Sequence, residues 1–256
     1  MQAKEEDSTN WGKFGALWAR ILSDYTRLKL THATDALPAL SGLAQRMSHF
    51  KPGAYIAGLW EKDIACSLDW QLSRGENREA LPEPTFSWTA SSYPVSFGII
   101  YSNEVEATLC HYVSHDCTYT TGNVYGHVSA ASLCLRGQAV SGLDLFNATP
   151  QCFDNPVSKY DNYVHLDNGQ MFGANHLGAD GNLLDKSAPT SPDRSSVICF
   201  ALYSYTKYSS KRICATLLVL QLKGDAVGQY VRIGLARDIK KVWFDEHASP
   251  ITVTIT

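Results

Sequence analysis

The stretch "LCHYVSHDC", Leu109 to Cys117, places two cysteines, two histidines and an aspartate within nine residues. These side-chain types ligate zinc and carry nucleophilic catalysis. Read as a strand with alternating side chains, it sets His111, Val113, His115 and Cys117 on one face and Cys110, Tyr112, Ser114 and Asp116 on the other. His111, His115 and Cys117 are then the three that could converge on a metal. A tetrahedral site would need a further ligand from elsewhere, such as His127 or Cys134, and the spacing does not specify it. Read as a helix, the stretch would align His111 with His115 and set Cys117 aside. A thiol nucleophile at Cys110 or Cys117 would need a partner base and an oxyanion pocket, and no local signature marks either. The pattern is therefore read first as a structural strand, with no metal, cofactor or catalytic residue assigned. A small metal- or thiol-dependent hydrolase using His111, His115 and Cys117 is the alternative, and a ligand-binding β module with a tyrosine-lined pocket is a further one.

Two other stretches carry polar chemistry. "VHLDNGQMFGANHLGADGN", Val164 to Asn182, holds His165, Asp167, His176 and Asp180, which a hydrolase could use as acid, base or ligands. It lacks the full acidic calcium-loop pattern. Its simpler reading is two turns, one shaped by Asp167, Asn168 and Gly169 and the other by Asp180 and Gly181. "YSYTKYSSKR", Tyr203 to Arg212, mixes tyrosines with Lys207, Lys211 and Arg212, and aromatics among basic residues can stack on bases. The whole chain carries a formal net charge of -3, without the basic field of a nucleic-acid binder, so this stretch reads as a loop between strands.

Elements must position these residues. Apolar residues make up 45% of the chain and charged residues 18%, a globular composition able to bury a core. No run of about 18 apolar residues is present, so no membrane span is expected. "MQAKEEDSTN" has no apolar secretory core. The seven cysteines are odd in number and widely spaced. Free thiols in a reducing, cytoplasmic setting follow.

Helical periodicity dominates before residue 85. Trp11, Phe14, Trp18, Ile21, Leu22 and Tyr25 fall on one helix face, with Ser8, Thr9 or Asn10 as a cap. A second helix fits Asp35 to Met47, capped by Thr34 or Asp35, with Pro38 in its first turn. A third fits Tyr55 to Trp70, and Lys51 to Gly53 separates the last two. Ser73 to Thr85 is polar, holds two prolines and reads as a linker. Beyond it, short β-branched and aromatic runs alternate with turns. Strands are predicted at Val95–Tyr101, Val105–Ser114, His127–Ala139, Tyr163–Leu166, Gln170–Phe172, Val197–Tyr205, Ala215–Leu222, Tyr230–Ala236 and Ile251–Ile255. Asn168-Gly169 is a tight-hairpin signal. The fold class is α+β: a helical segment, 1–84, packed on a mainly antiparallel β sandwich or barrel-like domain, 85–256, as one unit. Trp60, Trp70 and Trp88 are expected to seal the two layers. Arg27 is expected to tie the first helix to the second by pairing with Asp35 or another acid.

Several of these runs, in order, resemble one family. They are "WARILSDYTRLKLTHATDALPALSGLA", "YIAGLWEKDIACSLDW" followed by "TFSWTAS", "GNVYGHVSAASLCLRG", and "LLVLQLKGDAVGQYVRIGLARD" followed by Trp243-Phe244 and "ITVTI". Together they look like the region downstream of the core domain in fungal heterokaryon-incompatibility (HET) proteins. The matching positions are Tyr25, Arg27, Leu30 and Thr31; Asp35, Leu37, Ala39 and Leu40 to Ala44 with Gly42; and Tyr55, Ala57, Gly58, Leu59 and Trp60. Ser87, Trp88, Ala90 and Ser91 match a tryptophan motif in which Phe86 and Thr89 depart from the family. In that family the HET core precedes the Tyr-Arg-Leu-Thr helix, and its motifs are absent from this sequence. The resemblance thus implies a truncated paralogue, a partial gene product or a C-terminal region, without the death-triggering activity expected of the core. It implies a non-enzymatic scaffold or regulator in non-self recognition, acting through protein contacts with a partner or a HET core, in cis or in trans.

Overall fold

The computed structural model describes residues 2–28, 30–72, 84–91, 94–98, 104–148, 152–154, 163–167, 171–173, 194–224 and 228–256. Helix α1 runs Gln2–Tyr25. It starts upstream of the expected caps, because "AKEED" supplies helix formers, several of them acidic, at the end that the helix dipole makes positive. Ser8, Thr9 and Asn10 lie inside it. Phe14, Trp18 and Leu22, four residues apart, form its buried stripe. A 3₁₀ turn, Ala33–Asp35, leads into α2, Ala36–Met47, which buries Leu37, Leu40, Ala44 and Met47. Asp35 stands at the cap position, but its side chain makes no capping bond.

The third predicted helix is not formed over most of its length. Tyr55–Ile56 (β1) and Leu59–Trp60 (β2) are an antiparallel hairpin with Tyr55 opposite Trp60. Ala57 and Gly58 both have positive φ, 46° and 96°, as the primed two-residue hairpin turn requires. Only Ile64–Ser67 (α3) is α-helical. Trp70–Leu72 (β3) then pairs with Val95–Phe97 (β4). The apolar spacing that suggested a helix instead arises because all four hairpin residues are buried.

The C-terminal strands match the sequence reading closely: β5 Glu104–Thr108, β6 His111–Tyr119, β7 Val128–Ser141, β8 Tyr163–Leu166, β9 Met171–Gly173, β10 Val197–Thr206, β11 Ile213–Leu222, β12 Gln229–Lys240 and β13 Ser249–Ile255. The expected strand Val105–Ser114 is split. Its first half pairs with β10 and its second with β7. β8 and β9 pair antiparallel around the Asn168-Gly169 signal, whose own residues lie outside the described set.

Strand neighbours close into a ring, β7–β10–β11–β12–β13–β7, in which only β12 and β13 run parallel. Each ring strand contributes to one apolar cluster, for example through Leu135, Phe200, Leu218, Leu235 and Val253. That cluster continues without a break into Trp18, Leu40, Trp60 and Trp88 of the helical layer. The alternate strand residues, including Cys199, Ala201, Val219 and Ala236, form a second cluster with Leu145 of α4 (Gly142–Asn147) and Phe244 of α5 (Lys241–His247). No helix among the described residues is long and apolar enough to cross a membrane.

Candidate functional site

The His/Cys stretch is a strand, but its phase differs from simple alternation. The β6–β7 register slips between Tyr112 and Ser114, so Val113 is an extra, bulged residue. Tyr112 and His115 lie opposite Leu135 and Leu133 and share their face, while His111 lies opposite Arg136 on the other. The expected trio is therefore separated, with His115 and Cys117 on one face and His111 on the opposite one. Cys134 lies opposite Ser114 and so also misses the His115 face. Tyr112 and His115 are joined instead, Oη to Nδ1 at 2.7 Å. His127 Nδ1 lies 2.6 Å from Thr120 Oγ1. Among the described residues no group of three or more His, Cys, Asp or Glu is arranged to hold a metal.

Five of the thiols, Cys66, Cys110, Cys117, Cys199 and Cys214, are held in the unreactive form. Burial, reinforced by Asp63 and Asp69, pushes Cys66 well up. Burial also takes Cys110 and Cys214 to about 12 and raises Cys117 and Cys199. A nucleophilic cysteine needs the opposite, an electropositive surrounding that favours thiolate.

The residues that act together lie between the helical layer and the ring. The Gly58 carbonyl accepts from both Trp18 Nε1 and Trp88 Nε1, each at 3.2 Å. A side chain at Gly58 would strike the Trp88 indole. Ser87 Oγ donates to Ala57 O at 2.6 Å. Tyr25 meets Trp88 edge-on and donates to Ala36 O at 3.0 Å, joining α1 to α2. Arg27 does not make that join. Among the described residues it reaches only Asp24, at 4.0 Å on its own helix end, and both side chains are more than two-thirds exposed. The expected pair with Asp35 is not formed. Gly42 borders open space, where an added side chain would meet nothing within 4 Å.

Two arginines of β12 complete the joint. Ile233 is an extra residue in the β11–β12 ladder. That slip puts Arg232, opposite Leu220, on the same face as Leu235, opposite Leu218. A second irregularity follows at Arg237–Asp238, where Asp238 has φ 58°. Both guanidinium groups therefore reach Leu68–Gln71. Arg232, 1% exposed, donates to Asp167 Oδ2 at 3.1 Å, to Leu68 O at 2.8 Å and to Trp70 O, with its carbon 3.5 Å above the Trp70 ring. Trp70 Nε1 donates to Phe86 O at 2.9 Å.

Arg237 forks onto Asp69 Oδ1 through Nε at 2.9 Å and Nη2 at 2.5 Å, and gives Nη1 to Gln71 Oε1 at 2.6 Å. Tyr203 Oη donates to Asp69 Oδ2 at 2.8 Å. Burial alone would lower the Arg237 pKa, but the Asp69 carboxylate outweighs it and holds it raised. Burial and Asp69 keep the Tyr203 hydroxyl protonated. Both Asp69 oxygens are thus engaged by protein groups, which makes this cluster a clamp.

Asp167, first read as a turn residue, is 4% exposed and serves Arg232. His165's side chain, Asn168, His176, Asp180 and Gly181 lie outside the described residues. In "YSYTKYSSKR", Lys207 pairs with Asp238 at 2.8 Å, Arg212 with Asp154 at 3.3 Å, and Lys211 lies over Tyr208. Sequence reasoning missed Asp69, Tyr203, Arg232 and Arg237 as a set. The available signal was charge within two largely apolar runs, one aspartate in "SLDW" and two arginines in "YVRIGLAR". Compared with protein-family models, curated proteins and solved structures, the chain matches none.

Proposed function

We propose that the chain is a non-enzymatic scaffold and regulatory region of a heterokaryon-incompatibility protein, acting in the cytoplasm through contacts with a protein partner or a HET core, in cis or in trans. The observation that carries this reading is where the resembling residues sit. Trp60, Trp70, Trp88 and Arg232 are buried in the joint between the helical layer and the ring, and Gly58 and Tyr25 bond within it. Residues used to hold two layers in a fixed relation suit a scaffold. An enzyme would need polar groups left open toward a cleft. The raised thiols and the divided His/Cys trio weigh against the hydrolase alternative.

Co-precipitation of the tagged chain with a full-length HET-core protein tests the reading. Specific recovery of the core-bearing protein is expected. Consistent absence of binding, across several such proteins and with the chain shown to be folded, would reject it.

A further inference from the structure

Tyr55 and Trp60 face each other across the β1–β2 hairpin with ring centroids 4.7 Å apart, and they are 5% and 1% exposed. Tyr55 Oη and Trp60 Nε1 have no hydrogen-bond partner among the described residues. The indoles of Trp18, Trp70 and Trp88 in the same layer each donate to a backbone carbonyl. Two orphaned donors side by side are unusual, because folded chains leave few buried polar atoms unpaired.

Among the described residues, three other rings pack against the pair. Phe14 and Trp18 are buried, whereas Tyr125 is only half-buried, at 5.4 Å from Tyr55 and 6.4 Å from Trp60. Tyr125 belongs to the β6–β7 turn, where local bonds hold the backbone: its N–H donates to Asn123 Oδ1 and that of Gly126 to Asn123 O, both at 3.0 Å. Among the described rings packed against the pair, Tyr125, on a short surface turn, is the least buried.

The geometry points to a small-molecule subsite in which a flat ligand with a hydrogen-bond acceptor displaces the Tyr125 ring and accepts from Tyr55 Oη and Trp60 Nε1. An indole N–H only donates, so the ligand must supply an acceptor. The aromatic walls favour a planar body. Glu61 follows Trp60 in the chain and already accepts from Ala54 N at 3.0 Å. This site is independent of the partner reading, since a scaffold could hold it or lack it.

The probe is benzamide, titrated into the ¹⁵N-labelled chain, with the Trp60 indole resonance assigned through W60F. A saturable shift of that resonance, together with the Tyr125 and Gly126 amides, is expected. Tyr125→Ala should tighten binding by opening the site. Tyr55→Phe should weaken it about tenfold, the worth of one neutral hydrogen bond, without lowering the melting temperature. A shift that never saturates overturns the inference, as does benzamide affinity unchanged in Tyr55→Phe. A fall in melting temperature in Tyr55→Phe also overturns it, because the hydroxyl would then already be satisfied.

Discussion

Replacing Arg232 by methionine removes one charge from the centre of the joint while keeping an unbranched apolar chain there. The guanidinium bonds three groups, Asp167 Oδ2, Leu68 O and Trp70 O, and lies over the Trp70 ring. The variant takes the guanidinium away from the buried Asp167 carboxylate, and breaking one side of a buried ion pair costs about 3–5 kcal/mol. Loss of the cation–ring contact adds about 1 kcal/mol, and the methionine's own packing recovers a similar amount. A net loss of about 4 kcal/mol is expected, a large share of the roughly 5–15 kcal/mol that holds a typical domain together. Equilibrium urea unfolding read by tryptophan fluorescence and by far-ultraviolet circular dichroism measures it, since Trp70 lies directly under the arginine. Arg232→Met combined with Asp167→Asn should cost less than the two single changes summed, because both single changes break the same ion pair. A single-variant loss below about 1 kcal/mol, or strict additivity in the double variant, would refute the stabilising role of the Arg232–Asp167 pair.

Gly58→Ala must hold alanine at φ 96° and displace the Trp88 indole, so a loss of about 2–4 kcal/mol is expected in the same unfolding assay. Asp63 is pushed by burial from an ordinary 3.8 to about 7. A raised carboxyl favours folding while protonated, so stability should fall as pH rises from about 4 to about 7, by at most about 1.4 kcal/mol per unit, and level off above. Asp63→Asn should flatten that slope and stabilise the protein at pH 8, which thermal melts across pH will report. Arg27→Ala should leave the melting temperature essentially unchanged, because its ion pair with Asp24 is exposed and 4.0 Å long. Ellman's reagent at pH 7.5 should label Cys66, Cys110, Cys199 and Cys214 only after denaturation, given their raised thiols; a fast native reaction at any of them would contradict that environment.

Strand positions were legible because short apolar runs such as "VICFALYSYT" and "ATLLVLQL", bounded by turn residues and rich in β-branched or aromatic side chains, suit strands buried on both faces. The hairpin at Tyr55 was not, since a four-residue fully buried hairpin lacks alternation, and its turn rests on positive φ at an alanine that no propensity would assign. Bulges at Val113 and Ile233 were equally invisible, yet they decide the chemistry. The first takes His111 away from His115, and the second brings Arg232 onto the face of Leu235. Ring closure, and the pairing of Asp167 with Arg232 across 65 residues, depend on long-range contacts that local patterns do not carry. Trp60, Trp70 and Trp88 are buried in the cluster shared by the helical layer and the ring, as suits large aromatics in short apolar runs.

Isothermal titration of the purified chain into a purified HET core, with Gly58→Ala as the joint-disrupted control, measures the scaffold claim itself. Saturable binding by the native chain, weakened in Gly58→Ala, is the result predicted. No heat of binding with any core tried, or equal binding by the control, would contradict it.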